Sequence, residues 1–144
     1  MFIKNLSETI LFGQDFAQNL QANSKILLQG PIGAGKTSFV QGIAKGLSIE
    51  ENITSPTFAL SHHYNSGKLP LIHIDLYRLE NPISAKELFL EEEESVEQNG
   101  GVLIIEWPEF ILPILDNFWL VEISYAKENG RNFKIHEPKS SKNS

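Results

Sequence analysis

The sequence predicts an α/β domain built on one mixed sheet, with parallel strands at its core, helices on both faces and antiparallel hairpins. Two short apolar runs, at residues 25–29 and 102–106, predict the parallel strands, because strands buried on both faces lack the usual alternation of apolar and polar residues. Turn signals at residues 65–68 and 129–130 each lie between two strand-like segments and predict the hairpins.

Periodicity and capping residues divide the first part of the chain into four elements. These are a short strand at 2–6, a helix from an N-cap at Ser7 to about residue 22, a strand at 25–29, and a helix from about 37 to 46, where glycine ends it. The strand at 25–29 therefore leads through a glycine-rich segment directly into a helix.

Turn residues divide the rest of the chain in the same way. Its predicted elements are paired strands at 57–64 and 71–76, an acidic helix at 84–99, a strand at 102–106, and a hairpin of strands at 119–124 and 131–135. Because we find no linker or internal repeat, we expect a single domain over residues 1–138, followed by a polar tail at 139–144.

Charge and composition limit the classes of partner and compartment. The chain has 144 residues, a formal net charge of −6 and only two arginines, so it lacks the basic surface that tight nucleic-acid binding requires. An acidic surface is better suited to a protein partner with a basic face than to a nucleic acid. The chain has no cysteine and no apolar run of the roughly 18 residues that span a membrane, so we expect a cytoplasmic protein without disulfides or thiolate metal sites.

Residues 30–37 read GPIGAGKT and match the phosphate-binding pattern G-x-x-x-x-G-K-[ST]. In this pattern the glycines let backbone N–H groups point at the phosphates, and the N-terminus of the next helix adds a positive partial charge. The position between an apolar strand and a helix is the context that the pattern requires. We therefore predict a P-loop NTPase-like sheet that binds a nucleoside triphosphate and Mg²⁺ through Ile32, Gly33, Ala34, Gly35, Lys36 and Thr37.

Three side chains have specific predicted roles in catalysis. Lys36 is expected to reach the β- and γ-phosphates, and the Thr37 hydroxyl is expected to ligate Mg²⁺. Glu106 ends the strand at 102–106, where such an enzyme needs a carboxylate to hold Mg²⁺ directly or through water. The alternative for Glu106 is a solvated carboxylate at a strand end.

Asp75 is the second candidate carboxylate, since it lies at the end of the apolar strand at 71–76. The roles open to it are orienting the attacking water, acting as a base, or binding Mg²⁺ through water. The alternative is a local cap or an ion pair with Arg78. Thr57 is either a sensor of the γ-phosphate, as switch threonines are in GTPases, or an ordinary strand residue.

Several other polar and aromatic residues are compatible with a purely structural role. Trp107 either packs beside the site or belongs to the core. We interpret His62, His63 and His73 as structural, because they have no ligand-like spacing with other metal ligands. The acidic run at 91–94 is interpreted as a solvated helix face, with a docking surface for a basic partner as the alternative.

Four motifs, in order along the chain, together resemble the TsaE family, the small ATPases of bacterial tRNA threonylcarbamoyladenosine biosynthesis. They are GAGKT in the loop, SPTF at 55–58, HIDLYRL at 73–79 and IEWP at 105–108. The resemblance runs from about residue 7 to residue 131. One departure is Pro31-Ile32, which replaces the usual Asp-Leu pair and removes one loop N–H, so we expect altered affinity rather than lost binding.

The resemblance implies that the nucleotide is ATP and that the protein is an accessory ATPase rather than the transferase itself. It implies two protein partners, a TsaD-like catalytic subunit and its TsaB-like paralogue, with tRNA contacted only indirectly. It also implies Mg²⁺ on Thr37 and Glu106 and an importance of Asp75 for activity. Residues near the adenine are implied at about 6–9, which adds Leu6 to the expected nucleotide-binding residues.

Two functions of other classes use the same loop. A small-molecule kinase commonly closes an arginine-bearing lid over the transferred phosphate, and two arginines in the whole chain argue against it. A nucleotide-dependent switch would need little hydrolysis, and it would be favoured if Glu106→Ala abolished hydrolysis while complementation stayed intact. Because no arginine is an obvious finger, we expect slow intrinsic turnover that a partner raises.

Overall fold

The computed structural model describes residues 1–31, 33–53, 61–77, 79 and 81–138. Within these residues the chain forms seven strands and three α-helices, in the order β1 (Phe2–Ile3), α1 (Leu6–Phe16), β2 (Lys25–Gln29), α2 (Lys36–Gly46), β3 (Ser61–Tyr64), β4 (Leu71–Asp75), α3 (Pro82–Asn99), β5 (Val102–Glu106), β6 (Trp119–Tyr125) and β7 (Arg131–His136). Short 3₁₀ turns follow α1, β5 and β6. None of the helices in this described part is long and apolar enough to cross a membrane.

The strands form one sheet in the order β1-β7-β6-β2-β5-β4-β3. At its centre β2 pairs in parallel with both β5 and β6, and β5 also pairs in parallel with β4. The pairs β3–β4, β6–β7 and β1–β7 are antiparallel. The predicted fold class is therefore confirmed, including the parallel centre and both hairpins.

Each face of the sheet carries its own core, because successive side chains of a strand point to opposite faces. The core on the α1 and α2 side includes Phe16, Phe39, Ile26, Leu28 and Ile104. The core on the α3 side includes Phe89, Leu27, Leu103, Ile105 and Ile74. The strands β2 and β5 contribute to both cores, which explains why their sequences are apolar without alternation.

The helices α1 and α2 cross so closely that glycine is required where they touch. A Cβ atom on Gly42 would overlap the carbonyl oxygen of Ile10, and one on Gly13 would overlap the carbonyl oxygen of Phe39. Both clashes are with backbone atoms, so a change of side-chain rotamer cannot relieve them. This crossing holds α2 firmly against α1, and α2 begins where the glycine-rich loop ends.

The predicted limits of the first helix are wrong. Asn5 is the N-cap, because its side-chain oxygen accepts a 2.9 Å hydrogen bond from the backbone N–H of Glu8. Asn is as good a helix cap as Ser. With Asn5 as the cap, the helix begins at Leu6 instead of after Ser7, and β1 ends at Ile3. The α-helix ends at Phe16 and continues only as a 3₁₀ turn over Ala17–Asn19, well short of residue 22.

The third helix begins earlier than predicted and ends as predicted. Asn81 caps it and Pro82 occupies its first turn, where the missing N–H of proline costs nothing. Gly100 ends it with a φ of +71°, a conformation that glycine adopts without strain. The strand predicted at 57–64 is observed from residue 61, and residues 57–60 lie outside the described part.

Candidate phosphate and magnesium site

The glycine-rich loop follows β2 directly and ends where α2 begins. Gly33 and Gly35 have φ values of +82° and +104°, in the left-handed region that favours glycine. Gly35 is the N-cap of α2 and has no side chain with which to cap it, which suits an anion bound at the helix N-terminus. A Cβ on Gly30 would lie 2.6 Å from the carbonyl oxygen of Ile123, so the first glycine of the pattern is needed for packing against β6.

Lys36 folds back over the loop and is almost fully buried. Its Nζ donates a 2.6 Å hydrogen bond to the carbonyl oxygen of Gly30 and lies 3.9 Å from the centre of the Trp107 ring. Burial lowers the pKa of Lys36, although the nearby charges of Glu106 and Asp75 oppose this shift. The ammonium group therefore lies in a partly desolvated position where a phosphate would be a strong partner.

Asp75 and Glu106 end two neighbouring parallel strands and face each other in the register of the β4–β5 pair. Because β2 is parallel to β5, the loop that follows β2 leaves the sheet at the same edge. Glu106 is only 3% exposed, and Asp75 accepts a 2.9 Å hydrogen bond from the backbone N–H of Tyr77. Burial raises the pKa of Asp75; the hydrogen bond from Tyr77 opposes this rise and the charge of Glu106 adds to it.

The donor set at this edge fits Mg²⁺. The carboxylates of Asp75 and Glu106 and the hydroxyl of Thr37, in the first turn of α2, are hard oxygen donors. In the part of the chain that the structure describes, no group of three or more acidic or histidine side chains could enclose a metal. One or two carboxylates are enough for Mg²⁺, because the ion completes its coordination with phosphate oxygens and water.

His73 lies directly behind Glu106, and the prediction of the site from sequence missed it. His73 is fully buried on β4, and its Nε2 lies 2.5 Å from Oε2 of Glu106. His73 and Asp75 are two residues apart on one strand and therefore share a face of the sheet. That spacing is a signal in the sequence, but only the pairing of β4 with β5 makes Glu106 the partner.

Arg131 contacts the loop from the start of β7 and was also missed. Its Nε donates a 3.0 Å hydrogen bond to the carbonyl oxygen of Ala34, and its Nη2 donates a 3.1 Å hydrogen bond to that of Gly33. The guanidinium group also lies 4.8 Å from the centre of the Tyr125 ring. In a trans peptide the C=O and the following N–H point in opposite directions. Arg131 therefore turns the N–H groups of Ala34 and Gly35 away from itself.

A protein-family model described as threonylcarbamoyl adenosine biosynthesis protein TsaE matches residues 3–133. The chain belongs to the TsaE family. Two similar proteins, both described as tRNA threonylcarbamoyladenosine biosynthesis protein TsaE, come from a Nostoc and a Synechocystis species. The Nostoc protein is 42% identical, with 94% of this chain and 83% of that protein covered. The Synechocystis protein is 46% identical, with 75% of this chain and 69% of that protein covered.

Structural comparison agrees with the membership in the TsaE family. The crystal structure of YdiB from Bacillus subtilis superimposes with a TM-score of 0.78 and 27% sequence identity. The superposition covers 96% of this chain and 84% of YdiB. The shared fold therefore extends over nearly the whole of this chain and most of YdiB.

Three other residues of this TsaE-family chain were predicted to bind the nucleotide. One of them borders the loop from α1, and two lie outside the described residues. Leu6 is half exposed at the start of α1, and its Cδ2 would be 3.8 Å from a Cβ placed on Gly35. It therefore borders the loop beside α2, and its role near the nucleotide stays a prediction. Ile32 and Thr57 lie outside the described residues, so their predicted roles stay predictions.

The acidic run on α3 of this TsaE-family chain is only partly a solvated face. Glu91 and Glu94 are exposed, but Glu92 is 6% exposed, and its Oε2 lies 2.7 Å from Nε2 of His63 on β3. Helical periodicity places Glu92 between the buried residues Phe89 and Val96, so it faces the sheet. The interpretation of the whole run as solvent-facing was wrong at this residue.

Asp75→Asn is expected to raise the melting temperature of the nucleotide-free protein at pH 7. Because burial raises the pKa of Asp75 above its ordinary value of 3.8, the ionised carboxylate destabilises the fold once the pH exceeds that value. Asn keeps the oxygen that accepts from the N–H of Tyr77 but cannot ionise. Thermal unfolding followed by circular dichroism should show a difference from wild type at pH 7 that vanishes below about pH 3.8. An unchanged melting temperature at pH 7 would contradict this expectation.

Proposed function

We propose that this protein is an Mg²⁺-dependent ATPase. The observation that supports this most directly is the convergence of Lys36, Asp75 and Glu106 at one edge of the sheet, where the charges of both carboxylates act on the lysine. Phosphoryl transfer to water needs positioning and charge neutralisation more than covalent chemistry by the protein. A buried ammonium group and two strand-end carboxylates beside a glycine loop supply both requirements.

Each group has a separate role in the proposed reaction. Lys36 exchanges the carbonyl oxygen of Gly30 for the β- and γ-phosphates, which are stronger acceptors. Thr37 and Glu106 hold Mg²⁺, which supplies neutralisation of the triphosphate charge when it is bound. Asp75 orients the attacking water, and its raised pKa makes it a better proton acceptor than an ordinary aspartate.

We further propose slow turnover by the isolated protein. Arg131 is the one arginine among the described residues, since Arg78 lies outside them. Its guanidinium group donates hydrogen bonds to four backbone carbonyl oxygens, those of Gly33, Ala34, Asn129 and Gly130. A guanidinium group held in this way supports the loop instead of stabilising charge on a transferring phosphoryl group. A partner that supplies or rearranges positive charge at the site therefore raises the rate.

The setting that we propose is formation of threonylcarbamoyladenosine in tRNA, the pathway in the names of the relatives. The protein acts there as an accessory ATPase of a TsaD-like catalytic subunit and its TsaB-like paralogue. The net charge of −6 supports contact with protein partners and only an indirect relation to tRNA. The proposed compartment is the cytoplasm.

Steady-state ATP hydrolysis tests this function, measured for the protein alone, with each proposed partner, with both, and with and without tRNA. We expect slow hydrolysis by the protein alone, complete dependence on Mg²⁺, and a higher rate when both partners are present. No stimulation by any combination would contradict the proposed setting while leaving the ATPase in place. Transfer of the γ-phosphate to a nucleoside or metabolite would favour a kinase instead.

A further inference from the structure

His73 is a buried polar side chain to which the proposed reaction assigns no role. It lies in the middle of β4, is 0% exposed, and its Nε2 lies 2.5 Å from Oε2 of Glu106. An ionised carboxylate can only accept a hydrogen bond, so in this contact Nε2 carries the hydrogen and donates it. The histidine therefore contacts the carboxylate that the proposed function assigns to Mg²⁺.

The surroundings of Nδ1, the second ring nitrogen of His73, support the placement of the ring hydrogen on Nε2. Nδ1 is buried and has no hydrogen-bond partner among the described residues. A buried N–H without an acceptor is costly, whereas the neutral tautomer with hydrogen on Nε2 leaves only a lone pair at Nδ1. The single hydrogen of a neutral ring is thus directed at Glu106, and the His73 ring makes no other hydrogen bond in the described part of the protein.

The contact makes the two oxygens of Glu106 unequal. Oε2 accepts the hydrogen bond from His73, and Oε1 is the oxygen that we assign to the metal. Mg²⁺ requires near-ideal octahedral geometry, so a carboxylate whose orientation is fixed beforehand binds it at a lower entropic cost. A buried carboxylate without this hydrogen bond would be free to rotate and would also lack a partner for Oε2.

We propose that His73 is a positioning residue that holds Glu106 in the orientation in which one oxygen binds Mg²⁺. This inference rests on the proposed function, because it takes Glu106 as the Mg²⁺ ligand. His73 itself contacts neither metal nor nucleotide. Its replacement therefore changes the affinity for Mg²⁺ and leaves nucleotide binding without metal largely unchanged.

Three variants test this role by the chemistry of the side chain. His73→Leu removes the donor, and His73→Asn retains an amide that is too short to reach Oε2. His73→Gln places an amide N–H near the position of Nε2. Loss of an outer-shell partner typically weakens metal binding by about 10–100-fold. We expect a loss of this size for the Leu and Asn variants and substantial rescue by Gln.

The measurement is a titration with Mg²⁺ at a fixed concentration of a fluorescent ATP analogue, followed by fluorescence anisotropy, which gives an apparent Mg²⁺ constant without turnover. Binding of the same analogue in EDTA reports on the fold and the loop. His62→Leu is the matched control, since His62 is the register partner of His73 on β3 and contacts the hydroxyl of Tyr64 instead of Glu106. We expect the His62 variant to bind Mg²⁺ like the wild type.

The outcomes separate the inference from the function on which it rests. If the wild type shows no Mg²⁺-dependent nucleotide binding, the proposed function fails. If the wild type depends on Mg²⁺ and the Leu and Asn variants have the same apparent Mg²⁺ constant, the role of His73 is overturned. Should His73→Leu fail to fold, the comparison of Asn with Gln decides, and equal Mg²⁺ constants for these two variants overturn the inference.

Discussion

Glu106→Gln is expected to lower the rate of ATP hydrolysis by about 100-fold or more, with the fold intact. The substitution removes one negative charge from the carboxylate proposed to hold Mg²⁺, and an amide oxygen is a much weaker Mg²⁺ ligand. The amide oxygen can still accept the hydrogen bond from His73, so the buried contact survives. Steady-state release of phosphate at saturating ATP and Mg²⁺ measures the effect.

Glu109→Gln is the matched control for this substitution. Glu109 is exposed and also acts electrostatically on Lys36, but it lies outside the strand end occupied by Glu106. We expect the Glu109 variant to retain hydrolysis within a few-fold of wild type, because exposed charges are strongly screened. Equal losses in both variants would mean that general negative charge, and not the position of Glu106, supports the reaction.

The Glu106 variant also separates an ATPase from a nucleotide switch. If the variant binds ATP, does not hydrolyse it and still supports formation of the modified tRNA with both partners, hydrolysis is dispensable and the switch is favoured. If hydrolysis and tRNA modification are lost together, ATP hydrolysis is part of the function. Multiple-turnover measurements are needed, because hydrolysis that is required only for repeated rounds would not affect a single round of modification.

Gly42→Ala is expected to destabilise the protein by about 3 kcal/mol, the upper range for overpacking of a well-packed interior. Helix propensity alone predicts the opposite, since alanine in a helix is favoured over glycine by about 1 kcal/mol. Packing outweighs propensity here because the added Cβ would overlap the backbone of Ile10 and force α1 and α2 apart. Chemical denaturation of the nucleotide-free protein gives the change in the free energy of unfolding.

Gly100→Ala provides the comparison for the Gly42 variant. Gly100 has a φ of +71°, and a Cβ there would lie 3.7 Å from the nearest side-chain atom, on Ala22, which is an ordinary contact. The only cost is therefore that of the left-handed conformation, about 1–2 kcal/mol. If Gly42→Ala is as stable as wild type or more stable, propensity prevails and the close helix crossing does not limit side-chain size.

The parts of the fold that the sequence predicted well are those encoded in neighbouring residues. The strands β2 and β5 are apolar on both faces, and their limits were predicted to the residue. The limits of α1 were not, because Asn5 and Ser7 are both good caps and periodicity does not choose between them. The structure shows Asn5 as the cap, because its side-chain oxygen accepts the hydrogen bond from the backbone N–H of Glu8.

The same distinction between local sequence and packing applies to the candidate site. The glycine-rich loop and the carboxylates at 75 and 106 were predicted from a motif and from strand ends, which are local properties of the sequence. The orientation of Glu92 toward His63 required the packing of α3 on the sheet, because a run of four glutamates has no local feature that marks the buried one. Periodicity fixed which residues share a face but not which face lies inward.

By itself, the sequence determined the position of the glycine-rich loop, the order of strands and helices along the chain, and the two carboxylates that end apolar strands. Only the tertiary structure decided what supports them: His73 behind Glu106, 33 residues away, and Arg131 on the carbonyl of Ala34, 97 residues away. The physical reason is that a hydrogen bond between strands depends on sheet order and register. These arise from the burial of the whole sheet between its helices, and no local pattern of residues contains them.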